Sequence, residues 1–149
     1  MTILGDVLAA LRGALLTVPL LANGGELRLV AWEGRLFEPP RATDGTPQLF
    51  LREFLLPAGR RSASLGPHGL VRQLGLYQVD IVGSPGQGVR AMHDAAEAVL
   101  AAFPPGMAVQ AGTLTVRCWR AQLSGMRSDA DWLVLPVRVE WSTDAVNVI

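Results

Sequence analysis

The chain has 149 residues, half of them hydrophobic and 17% charged, with a net charge of zero. That is the size of one ordinary domain with enough apolar material for a core, and the composition excludes disorder. All 13 basic residues are arginine, which removes Schiff-base lysines and lysine-assisted phosphate chemistry; a neutral chain also sets up no overall field toward nucleic acid or an anionic membrane.

Leu4, Val7, Leu8, Leu11, Leu15 and Val18 recur at three- and four-residue spacing and predict one face of a helix. Thr2 is placed to cap it, and Pro19 with Asn23-Gly24-Gly25 closes it. No basic residue precedes this apolar stretch, Asp6 and Arg12 interrupt it, and no A-x-A cleavage site follows, so it does not have a signal peptide's pattern. The uncharged run from Gly13 to Gly25 is too short to span a bilayer, and the expectation is a soluble chain, intracellular at synthesis, with no membrane partner. A short strand is predicted at Leu27 to Ala31. An irregular connection with three prolines then runs from Gly34 to Pro47. Leu49 to Leu56 is an apolar strand ended by Pro57, and residues 58–69 form a long polar connection carrying Arg60 and Arg61. The strand resuming at Leu70 alternates, with Tyr77, Val79 and Ile81 on one side and Gln78 and Asp80 on the other.

That strand runs into Gly83-Ser-Pro-Gly-Gln-Gly88 and then a second helix from Val89 to Phe103. Gly86-Gln-Gly88-Val-Arg-Ala91 matches the G-x-G-x-x-A of dinucleotide sites. Such a site also needs a carboxylate about 20 residues on, and no Asp or Glu occurs between Glu97 and Asp129. Turn geometry is the plainer role of these glycines, and no cofactor is expected. The helix presents Val89, Met92, Ala96, Val99, Leu100 and Phe103 to a core, with Arg90, Asp94 and Glu97 opposite. Pro104-Pro-Gly106 ends it. Leu114, Val116 and Cys118 line one side of the next strand, facing away from Arg117 and Trp119; Leu133, Leu135, Val137, Val139 and Trp141 line one face of the last. These elements predict a single α+β domain over residues 1–149: a mixed or antiparallel sheet covered by two amphipathic helices, in the order α-β-β-β-α-β-β.

Candidate chemistry is sparse. His93 and Glu97 stand four apart on a helix, but two ligands do not make a metal site, and the other histidine, His68, lies in the polar connection. No G-x-S-x-G elbow supports a serine nucleophile, and Cys118 sits in a core pattern where a thiol is inert. Arg117 and Arg120 flank Trp119, a composition that can stack on bases, although the alternating strand around them and the zero net charge argue against sequence-specific nucleic-acid binding. Charge is segregated along the chain: arginines dominate residues 57–93 and 113–127, while Asp129, Asp131, Glu140 and Asp144 follow with only Arg138. Two complementary patches are what a head-to-tail oligomer requires.

Taken together, several segments resemble the tail terminator family of long-tailed bacteriophages. They are Trp32-Glu-Gly-Arg-Leu-Phe37-Glu-Pro39, Leu49-Phe-Leu-Arg-Glu-Phe-Leu-Leu-Pro57, Leu74-Gly-Leu-Tyr-Gln-Val-Asp80, Gly86-Gln-Gly88, Phe103-Pro104 and Leu135-Pro-Val-Arg-Val-Glu-Trp141. Their order and spacing carry the resemblance through most of the chain, although Gly34 stands where the family usually has asparagine. The resemblance implies a non-enzymatic protein of the virion tail's head-proximal end, assembled in the host cytoplasm. Such a protein forms a ring, usually a hexamer, on the last disc of the tail tube, stops polymerisation and offers a surface to the head–tail connector. Arg60, Arg61, Arg117 and Arg120 are the candidate assembly contacts, with tube protein, connector and other copies of the chain as partners. The competing readings are another head–tail joining or neck protein, and a small-ligand module built on the Gly83–Gly88 turn.

Overall fold

The computed structural model describes residues 2–62 and 69–146. The first helix, α1 (Ile3–Leu15), begins where expected, because the Thr2 hydroxyl accepts the Gly5 N–H at 3.1 Å and so satisfies one of the helix's free donors. Val7, Ala10, Leu11 and Leu15 are its buried stripe. After Leu15 the chain tightens into 3-10 turns at Pro19–Gly24. The strand expected at Leu27 to Ala31 is mostly helical. The Gly25 carbonyl accepts the N–H groups of Arg28 and Leu29, closing a short helix α2 (Glu26–Leu29), and only Val30–Ala31 is extended, as β1. A side chain at residue 25 would meet the Leu20 carbonyl at 2.8 Å, so the tight turn into this helix depends on glycine.

Six further strands follow: β2 (Phe50–Ser62), β3 (Leu70–Gly83), β4 (Met107–Ala111), β5 (Leu114–Leu123), β6 (Arg127–Asp129) and β7 (Trp132–Val146). The sheet runs β1-β2-β3-β7-β5-β4, with β6 beside β7. Among the described strands only the β1–β2 pair is parallel, so the α+β class and the mixed sheet are as anticipated, while the order of elements is richer. The sequence reading lacked β4 and β6. Both are short and joined to their neighbours by two-residue turns, through Gly112-Thr113 and Ala130-Asp131, whose leading residues have positive φ.

Pro57 does not end β2. The strand continues to Ser62, in register with β3 as far back as Val71, with a bulge between Pro57 and Gly59. Proline is tolerated because β2 has no neighbour on that side beyond β1's short pairing with Leu51 and Arg52. Residues 58–62 are therefore strand rather than loop; the rest of the expected connection, at 63–68, lies outside the described residues.

One face of the sheet is the core. Leu51, Tyr77, Val79, Ile81, Val137, Val139 and Trp141 lie beneath α1 and α3 (Arg90–Ala102). Helix α3 buries Met92, Ala95, Ala96 and Val99, and Phe103 follows into the core. Val89, expected on that face, is 42% exposed; it stands as the cap before the first helical turn. Gly75 marks a close approach: a Cβ there would lie 2.5 Å from the Trp141 ring and 2.8 Å from the Leu56 carbonyl, so the indole occupies the space that any other residue would need.

A carboxylate sits within this apolar face. Glu53 is fully buried and accepts hydrogen bonds from the Arg12 guanidinium, from the Tyr77 hydroxyl at 2.5 Å and from the Glu33 N–H at 3.2 Å. Arg12 also lies 5.1 Å from the Trp32 ring centroid, a cation–π contact. The hydrogen bond to Glu53 raises the Arg12 pKa. Burial, and then the charge of Glu53, pushes the Tyr77 phenol far above its ordinary range. The cluster ties α1, the segment after β1 and the centre of the sheet together.

Candidate assembly surface

Among the described residues, the opposite face of the sheet carries no helix. Its register places Phe50, Arg52 and Phe54 of β2 beside Val82, Asp80 and Gln78 of β3, which in turn lie beside Val134, Pro136 and Arg138 of β7. At one end this face is sealed by aromatic packing. Phe37, from the proline-containing connection, lies 4.9 Å from Phe50, and Phe50 lies 5.4 Å from Trp132.

Next to this cluster runs a polar ladder. Asp80 is fully buried, although its alternation places it away from the core. It accepts from Arg52 at 3.0 and 3.2 Å and from Gln78 at 2.7 Å, and Gln78 accepts from Arg138 at 3.1 Å. A buried carboxylate needs this many donors, since an unpaired one is costly in a low-dielectric setting.

The charge segregation seen along the chain does not survive folding as separate patches. Arg72 binds Asp144 through two hydrogen bonds, at 2.8 and 3.0 Å, and Arg120 binds Glu140 at 2.7 Å. The acids of β7 thus neutralise arginines of β3 and β5, which the register sets beside them. The Arg72 guanidinium holds the Asp144 carboxyl below its usual range, and the charge of Arg117 adds to the effect.

Of the four candidate arginines, Arg120 is thereby committed to Glu140, although both remain partly exposed. Arg60 donates to the Gln73 side chain at 2.9 Å. Arg61 is exposed and lies across from Arg72 in the register. Arg117 is exposed and has no hydrogen-bond or ion-pair partner among the described residues. The structure does not gather the four into one cluster. Arg61 and Arg117 share the helix-free face with Arg72, whereas Arg60 lies on the other side of β2, next to Gln73.

Sequence reasoning missed what Trp119 does here. A bulge between Cys118 and Arg120 shifts the β5–β7 register. Trp119 donates its indole N–H to the Ser142 hydroxyl at 2.7 Å and remains 52% exposed. The available signal was a tryptophan on the polar side of an alternating strand. Arg72, Arg117, Trp119, Ser142 and Asp144 all border a concavity of about 300 Å³.

A larger hollow of about 570 Å³ lies at the glycine turn, bordered by Leu29, Pro47, Leu49, Gly88 and Met92. Its cation, Arg28, donates to the Gln48 side chain. The turn's glycines have local reasons: a Cβ at Gly83 would lie 2.6 Å from the Met92 sulfur, and Gly88 has φ of 78°. Cys118 is fully buried, and burial pushes its thiol up to about 11, which keeps it protonated. No cluster of metal-ligating residues occurs among the described residues, and no helix among them is long and apolar enough to cross a membrane.

A family model described as phage tail terminator protein matches residues 6–141. No curated protein matches the chain. Several solved structures match it, among them one over 96% of this chain and 96% of the other, with a TM-score of 0.72 at 21% identity; at that identity the likeness shows a shared fold.

Proposed function

The chain belongs to the phage tail terminator family, and from that premise we propose that it caps the tail tube as a homo-oligomeric ring. The family gives the protein a structural role in the assembly of the phage tail. The cap would consist of six copies, stop addition of further tube protein and offer its outward side to the head–tail connector, without catalysis and without a cofactor.

The observation that carries this reading is the family match through nearly the whole chain. The two unlike faces of the sheet support it: one is sealed under α1 and α3, and the other bears arginines and an exposed tryptophan. A closed ring needs two different surfaces on each subunit, and a cap needs unlike ends for tube and neck. Arg61 and Arg117 are the foremost contact residues in this scheme, with Arg60 and Arg120 held in reserve by their partners within the chain.

Light scattering coupled to gel filtration across a range of concentrations, with and without tube protein, is the test. A concentration-dependent oligomer, or one formed on the tube and visible as a cap that halts its growth, is expected. A strict monomer that leaves tube length unaltered would refute the proposal. Binding to the connector with no effect on the tube would identify a neck protein instead.

A further inference from the structure

The concavity beside Trp119 holds more positive charge than its own acid can neutralise. Arg72 and Asp144 satisfy each other through two hydrogen bonds. Each carboxylate oxygen of Asp144 accepts one of these bonds, and Arg117 contributes only a through-space field to it. Arg117 is thus left with a set of guanidinium donors directed at nothing among the described residues, in a geometry suited to a planar two-oxygen acceptor.

The wall beside it is preorganised. The Ser142 hydroxyl holds the indole of Trp119 at 2.7 Å and keeps its ring half-exposed. Ser142 is itself buried and can still donate its own proton. Leu74 lies next to Ser142 in the register, and the 42%-exposed Leu56 lies next to Leu76, so apolar surface continues from the hollow. Arginine and tryptophan set in a partly apolar frame are the residues that dominate protein interfaces.

We propose that this corner of the helix-free face is a carboxylate-binding site that takes an Asp or Glu side chain from an acidic segment of another protein subunit. The inference rests on the assembly reading above and adds the chemistry of the contact. Arg117 would bind the carboxylate, Trp119 and Leu74 would cover the adjoining chain, and Arg72 would be shielded by Asp144. A nucleic acid is a poorer occupant. Duplex binding depends on many phosphate contacts, whereas this hollow has one uncommitted guanidinium among the described residues. A free small carboxylate is also poorer, because a lone exposed ion pair contributes little without adjoining contacts.

The test uses the full chain labelled with nitrogen-15, titrated with hexaglutamate. The indole signal of Trp119 and the guanidinium signal of Arg117 should shift saturably, with those of Trp32 and Trp141 unmoved, and the shift should weaken as salt is added. Arg117→Ala should lose the shift while retaining the wild-type melting temperature. Asp144→Asn, which releases Arg72, should bind the peptide more tightly. Three results would overturn the site: no shift at Trp119, an undiminished shift in Arg117→Ala, or inorganic phosphate or a DNA duplex acting at lower concentration than the peptide. Capping by Arg117→Ala indistinguishable from wild type would remove the site from assembly but leave the cap itself intact. A chain that binds hexaglutamate through Arg117 and yet never assembles would count against the cap and not against the site.

Discussion

Replacing Glu53 by alanine is the most informative single perturbation of this fold. The carboxylate is fully buried, whereas its partner Arg12 keeps a quarter of its side chain exposed. It accepts from Arg12 at two nitrogens, from Tyr77 and from the Glu33 backbone. Truncation leaves the phenol, itself fully buried, with no acceptor, and removes the counter-charge from Arg12. Breaking such a pair by deleting one partner costs about 3–5 kcal/mol. For a chain of this size that corresponds to a fall in melting temperature of roughly 6–20 °C. Tyr77→Phe removes one hydrogen bond but leaves Arg12 on Glu53, so it should cost less, about 1–2 kcal/mol. Urea denaturation of wild type, both single variants and the double variant would measure the coupling. Because the double variant has no orphaned phenol, it should be less destabilised than the sum of the singles. A Glu53→Ala loss below about 1 kcal/mol, or strict additivity, would show that the network does not hold the helix to the sheet.

Two further outcomes follow from the same packing. Val99→Asp places a charge at a fully buried position of α3 and should cost several kcal/mol, about the magnitude expected for an unpaired buried polar group, whereas Ala101→Asp on the exposed side should be nearly silent; equal melting temperatures would mean that the helix is turned wrongly. Tyr77 is the chain's single tyrosine, so alkaline absorbance titration reports it alone. Its folded pKa is raised above the ordinary value near 10 by burial and by Glu53. The folded state keeps a proton that the unfolded chain releases. Stability is therefore whole below about pH 10 and declines above it, at about 1.4 kcal/mol per pH unit. Ionisation of Tyr77 near pH 10 while the protein remains folded would contradict its burial.

Local pattern alone determined the two helices, the Thr2 cap and the alternation of β3, β5 and β7, because periodicity and capping are set by residues a few positions apart. The family resemblance likewise came from ordered short segments, without any contact map. Other features depended on residues distant in the chain. Pro57 reads as a stop until β2 is seen to be free on that side beyond β1, where a missing N–H costs little. Asp80 falls on the polar side of its strand's alternation, and its burial and that of Glu53 become tolerable only when Arg52 and Gln78, or Arg12 and Tyr77, come within hydrogen-bonding range. The opposed arginine-rich and acidic stretches read as two patches, but the β3–β7–β5 register folds them onto one another and leaves Arg117 over. Which charge remains unpaired is a property of strand neighbours, and strand neighbours are chosen by the tertiary structure.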